Sequence, residues 1–118
     1  MIILDHLYTK DELLAINEFP NGFVKGVVDV KKGCVALDAD MHYQLADYLK
    51  AEQESKEEDM WGFNLWLEND EFEDVLEYDS LINIHNNQVH GFPRGGMSIM
   101  DPGIEERATE VIKKWIQL

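Results

Sequence analysis

Trp61-Gly62-Phe63-Asn64-Leu65-Trp66-Leu67-Glu68 and Val75-Leu76-Glu77-Tyr78-Asp79-Ser80-Leu81-Ile82-Asn83-Ile84-His85 decide the fold. Both stretches read as strands, with side chains alternating between two faces, and the acidic segment 69–74 joins them. Pairing Glu68 with Val75 puts Trp61, Phe63, Leu65 and Leu67 on one face with Leu76, Tyr78, Ser80, Ile82 and Ile84. The other face carries Gly62, Asn64, Trp66 and Glu68 against Val75, Glu77, Asp79, Leu81, Asn83 and His85. The first face is expected to be the core. The second is largely polar, with Trp66 as the tryptophan expected to be exposed.

Upstream, Thr9-Lys10-Asp11-Glu12 is a capping box that starts a helix with Leu13, Leu14 and Ile16 on its apolar side, and Pro20-Asn21-Gly22 ends it. Phe23 to Val30 is rich in valine and reads as a strand. Lys31-Lys32-Gly33 turns it back into Cys34 to Leu37, which predicts a hairpin. After Asp40, the spacing of Met41, Leu45, Tyr48 and Leu49 predicts a second helix. Downstream, 86–100 reads as a loop. Asp101-Pro102 then caps a last helix whose stripe is Ile104, Ala108, Val111, Ile112 and Trp115. The sum is a single α+β domain over 1–118, an antiparallel sheet of about four strands packed by helices on one face.

The chain has 118 residues, 24 Asp+Glu against 10 Lys+Arg, and a net charge of −14. Its 45% hydrophobic content calls for a packed core rather than a disordered acidic tail. The charge argues against a nucleic-acid backbone and an anionic membrane surface as partners. The lone Cys34 excludes an internal disulfide and fits a reducing cytoplasm, and the first residues do not read as a basic, apolar leader. Twelve of the acids fall in residues 51–80 with a single base, Lys56. Because aromatic residues interrupt that block, the acids are expected on loops and outer faces around a strand.

The polar residues with no structural duty are Asn64, Asp79 and Asn83, with His85 just beyond. In the register above, Asn64 lies opposite Asp79, where an amide bonds a carboxylate. Either these groups form a site with Asp79 or His85 as general base, or they brace the long loop. Arg94-Gly95-Gly96 in that loop offers a guanidinium beside flexible backbone; it holds either an anion or an internal salt bridge, with Asp79 as the expected partner. His42, His85 and His90 show no metal-ligand spacing, and Asp38-Ala39-Asp40 lacks the rest of a calcium loop, so neither metal nor cofactor is expected. Cys34 reads as a small core residue rather than a nucleophile.

Glu58-Asp59-Met60-Trp61-Gly62-Phe63-Asn64, Tyr78-Asp79-Ser80-Leu81-Ile82-Asn83-Ile84 and Asp101-Pro102 resemble the signature of a small bacterial family classed only as a domain of unknown function. The segments Val24 to Gly33 and Met41-His42 are similar to the first half of the same family. Two departures stand out: His85-Asn86 replaces an Arg-Pro pair, and a longer loop keeps only Arg94 of two arginines. The resemblance spans nearly the whole chain and implies no activity. Two functional expectations therefore remain. The first is a small acidic cytoplasmic domain that binds a basic or protein partner, its charge steering the encounter. The alternative is a small-molecule-binding protein or enzyme with a polar site around Asn64, Asp79, Asn83, His85 and Arg94. A homodimer through a sheet edge or Trp66 is compatible with both.

Overall fold

Strands rich in valine and aromatic residues need burial on both faces once helices are available to cover them, and here helices lie on each side of the sheet. The computed structural model describes residues 1–16 and 22–118. In chain order the elements are β1 (Ile2–Ile3), β2 (Tyr8–Thr9), α1 (Lys10–Ile16), β3 (Phe23–Asp29), β4 (Cys34–Leu37) and α2 (His42–Gln53). There follow β5 (Met60–Trp66), α3 (Phe72–Val75), β6 (Leu76–Glu77), α4 (Leu81–Val89), α5 (Pro102–Trp115) and β7 (Ile116–Gln117). The main sheet is antiparallel with five strands in the order β1-β4-β3-β5-β6, and β2 pairs in parallel with β7.

Local signals in the sequence produce the elements they predict. Thr9 Oγ1 accepts from Glu12 N at 3.0 Å, and Glu12 Oε1 accepts from Thr9 N at 3.3 Å, closing the capping box. The expected end of that helix at Pro20-Asn21 lies outside the described residues. The hairpin turn is held by Asp29, whose Oδ1 accepts from Lys31 N and Lys32 N at 2.9 Å each. Gly33 follows at φ +72°, a left-handed conformation that glycine enters without a Cβ penalty. Asp101 caps α5, its Oδ1 accepting from Gly103 N and Ile104 N.

One face of the sheet presents Val28, Val35, Leu37, Trp61, Phe63 and Leu65 to Leu13 of α1 and to Ala108 and Ile112 of α5. This is the core expected from the alternation of β5. The other face buries Val27, Ala36 and Met60 under Leu45, Ala46 and Leu49 of α2, with Ile82 of α4 packed alongside.

The stretch Val75–His85 is the main departure. Only Leu76–Glu77 is strand, pairing Asn64 with Glu77 and Leu65 with Leu76. Asn64 thus faces Glu77 instead of Asp79, a slip of two residues that keeps Leu76 and Glu77 on their predicted faces. Val75, however, packs into the Trp61 core, and Ser80 and Ile82 lie over the other face, opposite to the expected alternation. The chain then leaves the sheet after Glu77 and turns at Ser80 into α4. This helix carries Asn83, Asn86 and Asn87, all buried, at the i, i+3, i+4 spacing of one helical face. They serve the bare outer edge of β5. Asn83 Oδ1 accepts from Gly62 N at 2.8 Å while its Nδ2 donates to Gly62 O at 2.9 Å, the two bonds a neighbouring strand would make. Asn86 Nδ2 donates to Met60 O and to Glu57 O. The close approach requires glycine at 62, because a Cβ there would fall 2.5 Å from Ser80 Cβ and Oγ.

The same helix holds the long loop, which begins after α4 rather than at Asn86. Asn83 Nδ2 also donates to Met97 O; Asn87 Nδ2 donates to Gly96 O and Ser98 O, and Asn87 Oδ1 accepts from Met100 N. The expected anchor, an Asp79–Arg94 salt bridge, is absent among the described ion pairs, and both side chains are exposed. Neutral amides do the bracing because they can meet backbone N–H and C=O groups together, which a carboxylate or a guanidinium cannot.

Candidate functional site

The second face of the sheet is only partly covered. Between β3, β5, α2 and the start of α4 lies a cavity of about 580 Å³, within the ~300–1,000 Å³ range of small-molecule pockets. Its floor is Met60 and Asn64 of β5 with Lys25 of β3. Its walls are His42, Ala46 and Lys50 of α2 and Ser80, Ile82 and His85 around α4, and Trp66, Tyr43, Met41 and Leu81 form an apolar rim.

Of the five residues singled out from sequence, Asn64, Asp79 and His85 line this cavity. Asn83 lies beneath it as the brace of β5, with all three of its bonds taken by backbone. Arg94 is exposed on the loop and does not line the cavity. His42, Ser80, Lys25 and Glu77 were not foreseen as partners in one site. Lys25 carried a signal, as a charged residue amid the valines of a strand. His42 and Ser80 carried none until α4 turned over the sheet.

Asn64 is the best-defined group. Its Nδ2 donates to Glu77 Oε1 at 2.9 Å and to Asp79 O at 3.2 Å, so its Oδ1 points the other way. That Oδ1 is buried and has no hydrogen-bond partner; neither has the buried hydroxyl of Ser80. Glu77 Oε1 also accepts from Trp66 Nε1 at 3.4 Å, which ties the rim tryptophan to the same carboxylate. His42 is buried and donates through Nε2 to Phe63 O at 2.9 Å. Burial, reinforced by the charge of Lys25, holds its pKa below the ordinary 6.5, against the bond to Phe63 O, the neighbouring Asn64 amide and the charge of Asp79. The neutral ring therefore keeps its one N–H on Phe63 O. Ser80 Oγ bonds no base among the described residues. Cys34, whose thiol is pushed up by burial and then by Asp29, fits the core role expected of it.

The match decides the family: residues 2–115 correspond to the family described as Protein of unknown function (DUF5674). The chain belongs to it. No curated protein and no solved structure matches. In this DUF5674 chain no described helix is long and apolar enough to cross a membrane. Among its described residues no three His, Cys, Asp or Glu side chains gather as a metal site.

The neutral His42 has a consequence for stability. An unfolded imidazole takes up its proton near 6.5 and the buried one at lower pH, so the unfolded state binds more protons within that interval. Stability is complete above 6.5 and is expected to fall as pH drops through the folded pKa. The check is the melting-temperature difference between the parent and His42→Gln from about pH 7.5 to 5, which should move against the parent. The difference is needed because His6, raised by Glu12 and then Asp5, acts oppositely: its contribution is present below 6.5 and lost above its folded pKa. Parallel curves would show that the His42 ring is not held neutral.

Proposed function

We propose that this protein binds a small molecule in the cavity between its sheet, α2 and α4. The observation that carries the reading is a polar floor with unmet hydrogen-bonding capacity, Asn64 Oδ1 and Ser80 Oγ, beneath an apolar rim. A buried polar atom without a partner costs about 1–3 kcal/mol, and a bound ligand that supplies the partner recovers it. The test is a fragment screen against ¹⁵N-labelled protein. Hits are expected to shift the amides of Lys25, His42, Asn64, Trp66 and Ser80 in a saturable way. A screen whose hits leave those amides unmoved would overturn the reading.

A second reading, a basic protein partner, draws on the acidic belt. Of the twelve acids in residues 51–80, only Glu57 stands in a described ion pair, with Lys50 at 3.6 Å. Such an unneutralised field steers positively charged partners. A saturable response of amides 52–59 and 68–74 to a lysine-rich peptide, with the pocket amides silent, would favour it instead.

A further inference from the structure

We propose that the ligand of this pocket is zwitterionic, a compact ammonium–carboxylate head like that of a free α-amino acid, on an apolar or aromatic body. The inference rests on the reading of the cavity as a small-molecule site. Its basis is a row across the sheet: Lys25 on β3 pairs with Asn64 on β5, and Asn64 pairs with Glu77 on β6. One side of Asn64 is therefore positive and the other negative. Adjacent strands lie about 4.8 Å apart, so the backbones of Lys25 and Glu77 stand roughly 10 Å apart across the floor. The flexible stems of both residues can close on a head whose own charges are much nearer together.

Neither end of the row is neutralised within the fold. Lys25 joins none of the described ion pairs, and its Nζ rests 5.1 Å from the Phe23 ring centroid. The Asp79 carboxylate, beside Glu77, makes no described hydrogen bond or ion pair through its side chain, and Glu77 uses one oxygen for Asn64 and Trp66. Lys50, the other lysine of the wall, is already shared between Asp47 and Glu57. A purely cationic ligand would meet Lys25 as a like charge, and a purely anionic one would meet Glu77 and Asp79. A zwitterion satisfies both, and its N–H groups supply the donor that Asn64 Oδ1 lacks. Trp66, Tyr43 and Leu81 at the rim then cover the apolar body.

The test uses three probes with one phenyl body: L-phenylalanine, phenethylamine and 3-phenylpropionate, titrated into the labelled protein. L-Phenylalanine is expected to bind at least about tenfold more tightly than either single-charge probe. Lys25→Met should bring it down to the phenethylamine level. Glu77→Gln with Asp79→Asn, both at exposed positions, should bring it down to the phenylpropionate level. Lys31→Met, on the exposed hairpin turn, should change nothing. The probe comparison on the parent protein stands even if a variant fails to fold. A single-charge probe that binds as tightly as L-phenylalanine would overturn the inference, as would a preference that survives both sets of substitutions. Pocket shifts without the zwitterion preference overturn this inference alone, whereas silence of the pocket amides toward every probe and fragment overturns the underlying site as well.

Discussion

Asn83→Ala is expected to destabilise the fold by about 3–6 kcal/mol, more than any substitution of an exposed polar residue. The side chain is fully buried and makes three bonds, with Gly62 N, Gly62 O and Met97 O. Alanine would leave those three backbone groups without partners in a place where water enters poorly, at about 1–3 kcal/mol each. Two elements would loosen together, because the same amide joins the outer edge of β5 to the loop that follows α4. Asn83→Asp offers a discriminating comparison. It keeps the acceptor for Gly62 N but sets a carboxylate oxygen against the carbonyls of Gly62 and Met97, so it should be at least as damaging. Denaturant unfolding measures both, with Asn69→Ala as the control on an exposed asparagine. A loss under about 1 kcal/mol for Asn83→Ala would show that α4 does not act as the missing strand.

Trp61→Ala should cost about 3 kcal/mol, at the lower end of the ~3–5 kcal/mol range for emptying a large core site. Trp61 is fully buried among Val28, Phe63 and the apolar stripe of α5, which argues for the full cavity penalty. Its indole Nε1, however, is buried without an acceptor, and truncation removes that unfavourable group along with the ring. The same reasoning predicts that Trp61→Phe is mild, below about 1.5 kcal/mol, since it retains most of the aromatic volume and discards the orphan N–H. Thermal or urea unfolding of the two variants separates the contributions. A Trp61→Ala protein that melts like the parent would mean that this face of the sheet is not the core.

Much of the architecture was legible because its signals are local. The capping box at Thr9 and Glu12, the Lys31-Lys32-Gly33 turn and the Asp101-Pro102 cap each act over a few residues, and each appears where the sequence places it. The alternation of β5 likewise identified the core face, since a period of two distinguishes the faces whatever the partner strand. The candidate site was legible only in part. Asn64, Asp79 and His85 do line the cavity, but Asn83 braces the fold and Arg94 stands away on the loop. The two-residue slip from Asp79 to Glu77 explains why Asn64 bonds the carboxylate of Glu77 and only the backbone oxygen of Asp79.

By itself the sequence determined that this is an α+β domain, where its hairpin and terminal helix lie, and that Trp61, Phe63 and Leu65 share a buried face. It could not determine the fate of residues 81–87. That segment satisfies the period of a strand through Ile82 and Ile84 and the period of a helix through Asn83, Asn86 and Asn87, and local preference does not separate the two. The tertiary structure decides it. Beyond β6 the outer edge of β5 still needs donors and acceptors, and a strand would supply them only along its own line. A helix set over Gly62 supplies them through asparagine side chains and uses the same face to hold the loop. The turn into that helix carries Ser80 over the sheet beside His42, and the cavity with its unmatched polar floor exists only because the chain leaves the sheet there.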